Sequence, residues 1–115
     1  MIIKERNSAM EKFNWDKIAS KIDIIYEKLN EKKNILIVED EAAIRDMLCF
    51  VVDKHGYESI EAENYQQALL QLQEPYPDLI LLDWMFPGGS GIKLLQYLKQ
   101  DEILRQITVI MLTAR

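Results

Sequence analysis

Short apolar runs alternate with helical stripes along the chain from about residue 34 onward. Residues 35–38 (ILIV) form a continuous apolar run, which is typical of a strand buried on both faces. The same reasoning predicts strands at residues 57–62, 79–82 and 107–112. Between these runs, apolar residues recur at helical spacing and form three helical stripes. The first stripe includes Ile44, Leu48 and Val52, the second Ala68, Leu69 and Leu72, and the third Ile92, Leu95 and Leu98.

The ends of these helices are marked by residues that favour caps and breaks. Gly56 follows the first stripe and suits a helix C-terminus, and Asn64 is a predicted N-cap of the second helix. Pro75 and Pro77 prevent that helix from continuing. Strands joined by helix-length connections form right-handed βαβ units. The pattern therefore predicts an α/β doubly wound domain with a parallel sheet over residues 34–115.

A separate helical stripe precedes this domain. Its apolar residues recur at steps of three or four from about residue 15 to residue 29, and they are Ile18, Ile22, Ile25 and Leu29. A polar stretch at residues 30–34 then separates this helical pattern from the alternating strands and helices that follow. We predict that residues 1–33 form an N-terminal amphipathic helix and a linker, outside the α/β domain.

Acidic residues stand where two of the predicted strands end. Glu39 and Asp40 follow the first strand, and Asp83 follows the third. In the flavodoxin-like strand order, 2-1-3-4-5, these two strands are neighbours, and ligands bind beyond their carboxyl ends. A single acid here would equally suit a solvated loop or a helix cap, but three favour a site for a hard cation such as Mg²⁺. Thr113 ends the fourth strand at the same edge and offers a hydroxyl donor.

Composition and charge narrow the class of protein. Of the 115 residues, 49% are hydrophobic, as suits one small domain. The net charge of −5 argues against binding of this chain to a nucleic-acid backbone. Cys49 is the single cysteine, so no intrachain disulfide can form and a reducing compartment is expected. No apolar run approaches the length of a membrane span or a signal peptide. We expect a soluble, cytoplasmic protein that does not contact a membrane.

Three segments resemble the receiver domain of bacterial two-component response regulators. They are ILIVEDE at residues 35–41, PDLILLDWMFPGGSGI at residues 77–92 and VIMLTAR at residues 109–115. The resemblance extends over about residues 35–115 and combines an acidic pair, an acceptor aspartate and a terminal threonine at a specific spacing.

The resemblance implies a flavodoxin-like fold and a phosphorylation switch. Asp83 would accept a phosphoryl group from a sensor histidine kinase. Asp40, Asp83 and the main-chain carbonyl of Met85 would bind Mg²⁺ directly, and Glu39 would assist through water. Thr113 would move toward the phosphoryl group and transmit the signal.

The chain also departs from the family pattern. Receiver domains continue past the threonine into a fourth helix, a fifth strand with an active-site lysine, and a fifth helix. The sequence therefore predicts four of five strands, incomplete at the C-terminus, with the fourth strand as an exposed apolar edge. Lys93 and Lys99 are predicted to be solvated surface charges. We hypothesise that the N-terminal helix covers the part of the sheet that the missing fifth helix would otherwise cover. The alternatives are a coiled-coil or partner-binding helix, or a translated remnant with no fixed position.

The function predicted is phosphoacceptance in signal transduction rather than enzymatic turnover. Expected partners are a sensor histidine kinase and either a receiver homodimer or a full-length regulator, without direct DNA binding by this chain. One alternative is a receiver that docks partners without being phosphorylated. The other is a phosphohydrolase with Asp83 as nucleophile, which is disfavoured because Met85 stands where such enzymes often place a second acid.

Overall fold

Parallel strands and intervening helices follow one another in the order that the sequence pattern predicts. The computed structural model describes residues 2–4, 20, 22, 33–83, 85, 86 and 89–114, with side chains at 20, 22, 33–83 and 91–112. The described strands are β1 (Ile2–Lys4), β2 (Asn34–Val38), β3 (Glu58–Ala62), β4 (Leu79–Asp83), β5 (Met85–Phe86), β6 (Gly89–Ser90) and β7 (Thr108–Ala114). The described helices are α1 (Ala42–Lys54), α2 (Tyr65–Gln71), α3 (Gly91–Lys99) and a 3₁₀ turn at Leu104–Gln106; Ser20 and Ile22 are also helical.

Five strands form one parallel sheet in the order β1-β7-β4-β2-β3. At its centre, Leu36 of β2 pairs with Ile80 of β4 on one side and with Ile60 of β3 on the other. The four strands that the sequence predicts are all present, and their order is that of the flavodoxin-like fold. The predicted fold class is therefore confirmed.

The first strand of the chain, β1, lies at the edge of this sheet and was not predicted. It runs parallel to β7, with Ile2 opposite Leu112 and Lys4 opposite Ala114. The expectation that the strand ending near Thr113 forms an exposed edge is therefore wrong. Three residues of the N-terminal segment cover that edge and satisfy part of its backbone hydrogen bonding.

Each face of the sheet carries its own apolar core, because successive side chains of a strand alternate between faces. One cluster joins the sheet to α1 and to the N-terminal helical segment: Ile22, Ile35, Ile37, Ile44, Leu48, Val52, Leu79, Leu81, Ile110 and Leu112. The other joins it to α2, α3 and the 3₁₀ turn: Leu36, Val38, Ala62, Ala68, Leu72, Ile80, Leu82, Leu94, Leu98 and Leu104. The continuous apolar runs of β2 and β4 are explained by this burial on both sides.

The N-terminal helical segment reaches the core through Ile22, whose side chain is only 1% exposed. Ile22 shares its cluster with α1 residues such as Leu48, whereas Ser20 on the same segment is exposed. The hypothesis that this helix covers part of the sheet is thus confirmed at Ile22. Ile18, Ile25 and Leu29 lie outside the described residues. The division at residue 33 stays a prediction.

The helix ends follow the predicted caps. The side chain of Asn64 accepts a hydrogen bond from the backbone N–H of Gln67 at 2.8 Å, which satisfies a donor of the first turn of α2. Gly56 follows α1 with φ of +88°, a left-handed conformation that favours glycine. The segment after Asp83, predicted as a loop, contains the short antiparallel pair β5 and β6. Among the described helices, none is long and apolar enough to cross a bilayer.

Candidate functional site at the acidic edge of the sheet

Three carboxylates meet at the carboxyl edge of the parallel sheet. Glu39, Asp40 and Asp83 each offer an oxygen, and these oxygens lie within 4.8 Å of one another. Glu39 and Asp83 are fully buried at 0% exposure, and Asp40 is half-buried. The three predicted acids are therefore brought together, as the strand order requires.

The register of two central strands sets this arrangement. Val38 at the end of β2 pairs with Leu82 of β4, so the residue after each pair, Glu39 and Asp83, stands at the same level. The backbone N–H of Glu39 donates to the carbonyl of Ala62 at 3.0 Å, which extends the β2–β3 ladder past the end of β2. Glu39 is consequently held by hydrogen-bonded backbone at the sheet edge, and Asp83 is the last residue of β4.

Glu39 is also tied to the start of α1. Its carboxylate Oε2 accepts a hydrogen bond from the backbone N–H of Glu41 at 3.0 Å, just before the first helical residue. An anion at a helix N-terminus is stabilised by the unpaired N–H groups and by the helix dipole. This contact fixes the carboxylate of Glu39 at one side of the cluster.

Arg45, which was not among the predicted site residues, holds the main chain of the cluster in position. Its Nη1 donates to the backbone carbonyl of Glu39 at 2.9 Å, and its Nε donates to Oε1 of Glu61 at 3.1 Å. A weaker ion pair reaches Glu63, with 4.0 Å between Nη2 and Oε2. The arginine thereby links the ends of β2 and β3. The sequence offers one weak signal for this role. Arg45 lies in the first turn of the helix that follows the acids, next to the buried residue Ile44.

Two further predicted site residues are placed by their backbone alone. Thr113 is the penultimate residue of β7 and follows Leu112, which pairs with Asp83. Met85 begins β5, two residues after Asp83, and pairs with Ser90. Both lie at the acidic edge, but the roles of the Thr113 hydroxyl and the Met85 carbonyl stay predictions.

The donor set suits a small, hard cation. All three ligand groups are carboxylates, and two of them are withdrawn from water, so mutual repulsion disfavours the cluster unless positive charge offsets it. Oxygen-only sites with one or two direct carboxylates are characteristic of Mg²⁺. The residues present therefore fit a divalent cation.

Comparison with known proteins shows similarity to response regulators. A sequence profile described as "Response regulator receiver domain" matches residues 35–115. The phosphate regulon transcriptional regulatory protein PhoB of Escherichia coli strain K12 is 58% identical over 83 residues, which cover 72% of this chain and 36% of that protein. The polar-differentiation response regulator DivK of Brucella ovis is 39% identical over 82 residues, covering 71% of this chain and 67% of DivK. The chain thus spans little more than a third of the PhoB length.

Solved structures of receiver proteins share the fold described above. The N-terminal domain of a response regulator receiver protein from Methanoculleus marisnigri JR1 superposes with a TM-score of 0.69 at 35% identity, covering 74% of this chain and 69% of that one. The response regulator TrrA of Thermotoga maritima, solved in complex with Mg²⁺ and BeF, has a TM-score of 0.65 at 34% identity, covering 70% of this chain and 69% of TrrA.

Proposed function

Because this chain belongs to the family of response regulator receiver domains, we propose that it accepts a phosphoryl group on Asp83 from a sensor histidine kinase. The observation that carries the proposal is the convergence of Glu39, Asp40 and Asp83 within 4.8 Å at the carboxyl edge of the sheet. The role is that of a signalling domain whose covalent state changes, rather than of an enzyme acting on a free substrate.

Asp83 is the member of the cluster best placed to be the acceptor. It ends β4, a central strand flanked by β2 and β7, whereas Glu39 is engaged with the N-terminus of α1. In the transfer, an oxygen of the Asp83 carboxylate forms the new bond to phosphorus. The bond from phosphorus to the histidine nitrogen breaks, and its electron pair stays on that nitrogen. The histidine ring leaves as neutral imidazole, with a proton on one of its two nitrogens.

The other two acids are proposed to hold Mg²⁺ together with Asp83. Asp40 and Asp83 would be direct ligands, the main-chain carbonyl of Met85 would be a third, and Glu39 would act through water. When bound, the ion neutralises charge on the phosphoryl oxygens. The part of Arg45 is to hold the backbone of Glu39 in place, so that the acids keep their spacing while the charge at the site changes.

The signal is proposed to leave the site through β7. Thr113 stands one residue beyond the pair formed by Asp83 and Leu112, so its hydroxyl is a candidate donor to a phosphoryl oxygen. A change at Thr113 would be transmitted along β7 to its neighbours in the sheet. The partners proposed are a sensor histidine kinase and either a second receiver or a full-length regulator, and the chain is proposed to act in the cytoplasm.

Intact-protein mass spectrometry tests the acceptor assignment. The chain is incubated with phosphoramidate and Mg²⁺, and a mass gain of one phosphoryl group is expected for the wild type but not for Asp83→Asn. Asp46→Asn is the matched control, because Asp46 is exposed on α1, and it should be phosphorylated like the wild type. Equal phosphorylation of Asp83→Asn would place the acceptor elsewhere.

The same experiment separates phosphoacceptance from the docking alternative. If the wild type gains no mass with Mg²⁺ present but still binds a sensor kinase in a pull-down, the chain acts as an interaction module. Omission of Mg²⁺ should abolish the mass gain, and Asp40→Asn should raise the Mg²⁺ concentration needed for half-maximal phosphorylation by about tenfold or more.

A further inference from the structure

We propose that Lys93 and Tyr65 form a clamp that holds the β5–β6 pair beside the acidic cluster and thereby raises the affinity of the site for Mg²⁺. The assignment rests on the proposed function and adds to it two positioning residues, one on α2 and one on α3. Both act on the site through the backbone that their helices carry.

The contact between the two side chains is a cation–π interaction. Nζ of Lys93 lies 5.1 Å from the centre of the Tyr65 ring. An ammonium group within about 6 Å of a ring centre is attracted by the negative face of the ring. Tyr65 is half-buried and packs against the apolar cluster beneath α2 and α3. Lys93 is exposed, as the sequence predicted, but its ammonium group is engaged by a ring that the core holds in place.

Tyr65 belongs to the part of the chain that supports Glu39. It is the first residue of α2 and follows the cap residue Asn64, whose side chain accepts a hydrogen bond from the backbone of the first turn. Three residues before Tyr65, the carbonyl of Ala62 accepts a hydrogen bond from the backbone N–H of Glu39 at 3.0 Å. The ring therefore stands on a short, hydrogen-bonded connection to one side of the acidic cluster.

Lys93 belongs to the part of the chain that follows Asp83. Asp83 ends β4, and two residues later Met85 begins β5 and pairs with Ser90 of β6. α3 begins at Gly91, directly after β6, so Lys93 lies in its first turn. A restraint on this turn is therefore a restraint on the β5–β6 pair, which carries the Met85 carbonyl proposed as a Mg²⁺ ligand.

The β5–β6 pair depends on such restraints because it lies outside the five-stranded sheet. It forms a separate two-stranded sheet, and an isolated pair of strands is at best marginally stable. Asp83 fixes the end at which the chain enters the pair. At the other end, buried Leu94 anchors α3 to the sheet, and the clamp adds a connection toward α2. The clamp thus joins the two sides of the site across its rim.

Holding a loop in its bound position raises affinity, because binding then has to order less of the backbone. The size of the effect is set by the strength of the contact. For an exposed lysine, a cation–π contact corresponds to a factor of about two to five in an equilibrium constant. The direction of the effect is informative as well. Removal of a nearby positive charge would by itself strengthen the binding of a cation, so weaker Mg²⁺ binding after loss of the lysine charge would indicate lost positioning.

Calorimetric titration of the full chain with MgCl₂, without phosphodonor, tests the clamp. Lys93→Met removes the charge but keeps an unbranched side chain, and Tyr65→Leu removes the ring; each should raise the Kd for Mg²⁺ about threefold. Lys93→Arg retains a cation and Tyr65→Phe retains a ring, so both should bind Mg²⁺ like the wild type. Lys99→Met is the matched control, because Lys99 is exposed at the end of the same helix, and its Kd should be unchanged.

The double variant Lys93→Met/Tyr65→Leu distinguishes a lost contact from two independent effects. Its Kd should equal that of either single variant, because each substitution removes the same interaction. Additive effects would contradict the clamp, as would a Lys93→Met Kd equal to or below that of the wild type. Either result leaves phosphoacceptance by Asp83 intact, whereas a wild type that binds no Mg²⁺ overturns both the clamp and the proposed metal site.

Urea denaturation of the same variants separates positioning from damage to the fold. Lys93 is exposed, so the midpoint of Lys93→Met should match that of Lys99→Met while only the former binds Mg²⁺ more weakly. Tyr65→Phe keeps the packing of the half-buried ring and should retain both the midpoint and the Kd of the wild type. A higher Kd for Tyr65→Phe would assign the effect to the hydroxyl group and overturn the cation–π interpretation.

Discussion

Replacing Ile22 by alanine tests whether the N-terminal helical segment is part of the folded core. The side chain is 1% exposed and belongs to the cluster that contains Ile44, Leu48 and Leu112. Truncation of a buried isoleucine to alanine removes its transfer free energy and leaves a cavity, and typically costs 2–5 kcal/mol. Because Ile22 is buried among several large aliphatic residues, we expect a loss of about 3 kcal/mol in the free energy of unfolding.

A loss of that size is readily measured by urea denaturation followed by circular dichroism. With an m-value of about 1.5 kcal/mol per molar, the midpoint should fall by about 2 M urea. Ile22→Val should cost about 1 kcal/mol, since only one methyl group is removed. Ser20→Ala is the control on the same segment, because Ser20 is exposed, and its effect should stay within about 0.5 kcal/mol.

The packing interpretation would be refuted if Ile22→Ala and Ser20→Ala had the same small effect. An unchanged m-value is expected as well, because the substitution alters stability and not the surface exposed on unfolding. A marked fall in the m-value would instead indicate that the N-terminal segment had detached as a unit in the variant.

Three further predictions concern single side chains. Asn64→Ala should cost about 1 kcal/mol of stability in urea denaturation, because the N–H of Gln67 loses its cap, whereas Asn64→Asp should retain most of it. Burial raises the pKa of the Cys49 thiol from 9.0 to about 11, which lowers the fraction of reactive thiolate. Iodoacetamide at pH 8 should therefore alkylate the folded chain about 100-fold more slowly than the urea-unfolded chain, and comparable rates would contradict this. Hydrogen bonds from the backbone N–H groups of Leu104 and the preceding residue lower the pKa of Asp101 from its ordinary 3.8, so its contribution to stability is present above that pH and is lost as the pH falls below it. The stability difference between wild type and Asp101→Asn should accordingly shrink in acid, as measured by thermal unfolding at pH 7 and pH 3.

Most of the sheet could be predicted because its central strands are buried on both faces. Residues 35–38 and 79–82 must then be continuously apolar, and such runs are visible in the sequence. β1 could not be predicted in this way, since three residues carry no periodicity and their conformation depends on pairing with β7. The β5–β6 pair was missed for the same reason: two-residue strands are defined by their partner rather than by their own pattern.

The acidic site was predictable as far as it depends on strand ends. Glu39, Asp40 and Asp83 terminate recognisable strands, and the order of a doubly wound sheet brings two such ends together. The contacts of Arg45 were not predictable, because they join residues of α1, β2 and β3 whose proximity is known only once the helix is packed.

The pairing of β1 with β7 also has a consequence for how the chain folds during synthesis. Residues 2–4 are synthesised well before their strand partner at residues 112–114, which is the last described part of the sheet to be made. Closing a loop of that length carries a large entropic cost, which slows pairing relative to the local βαβ units. The sheet should therefore grow outward from β2, β3 and β4, with β7 added next and β1 docking last. Until β1 docks, the β7 edge of the growing sheet is open and can pair with a strand of another chain, so aggregation is favoured at this stage.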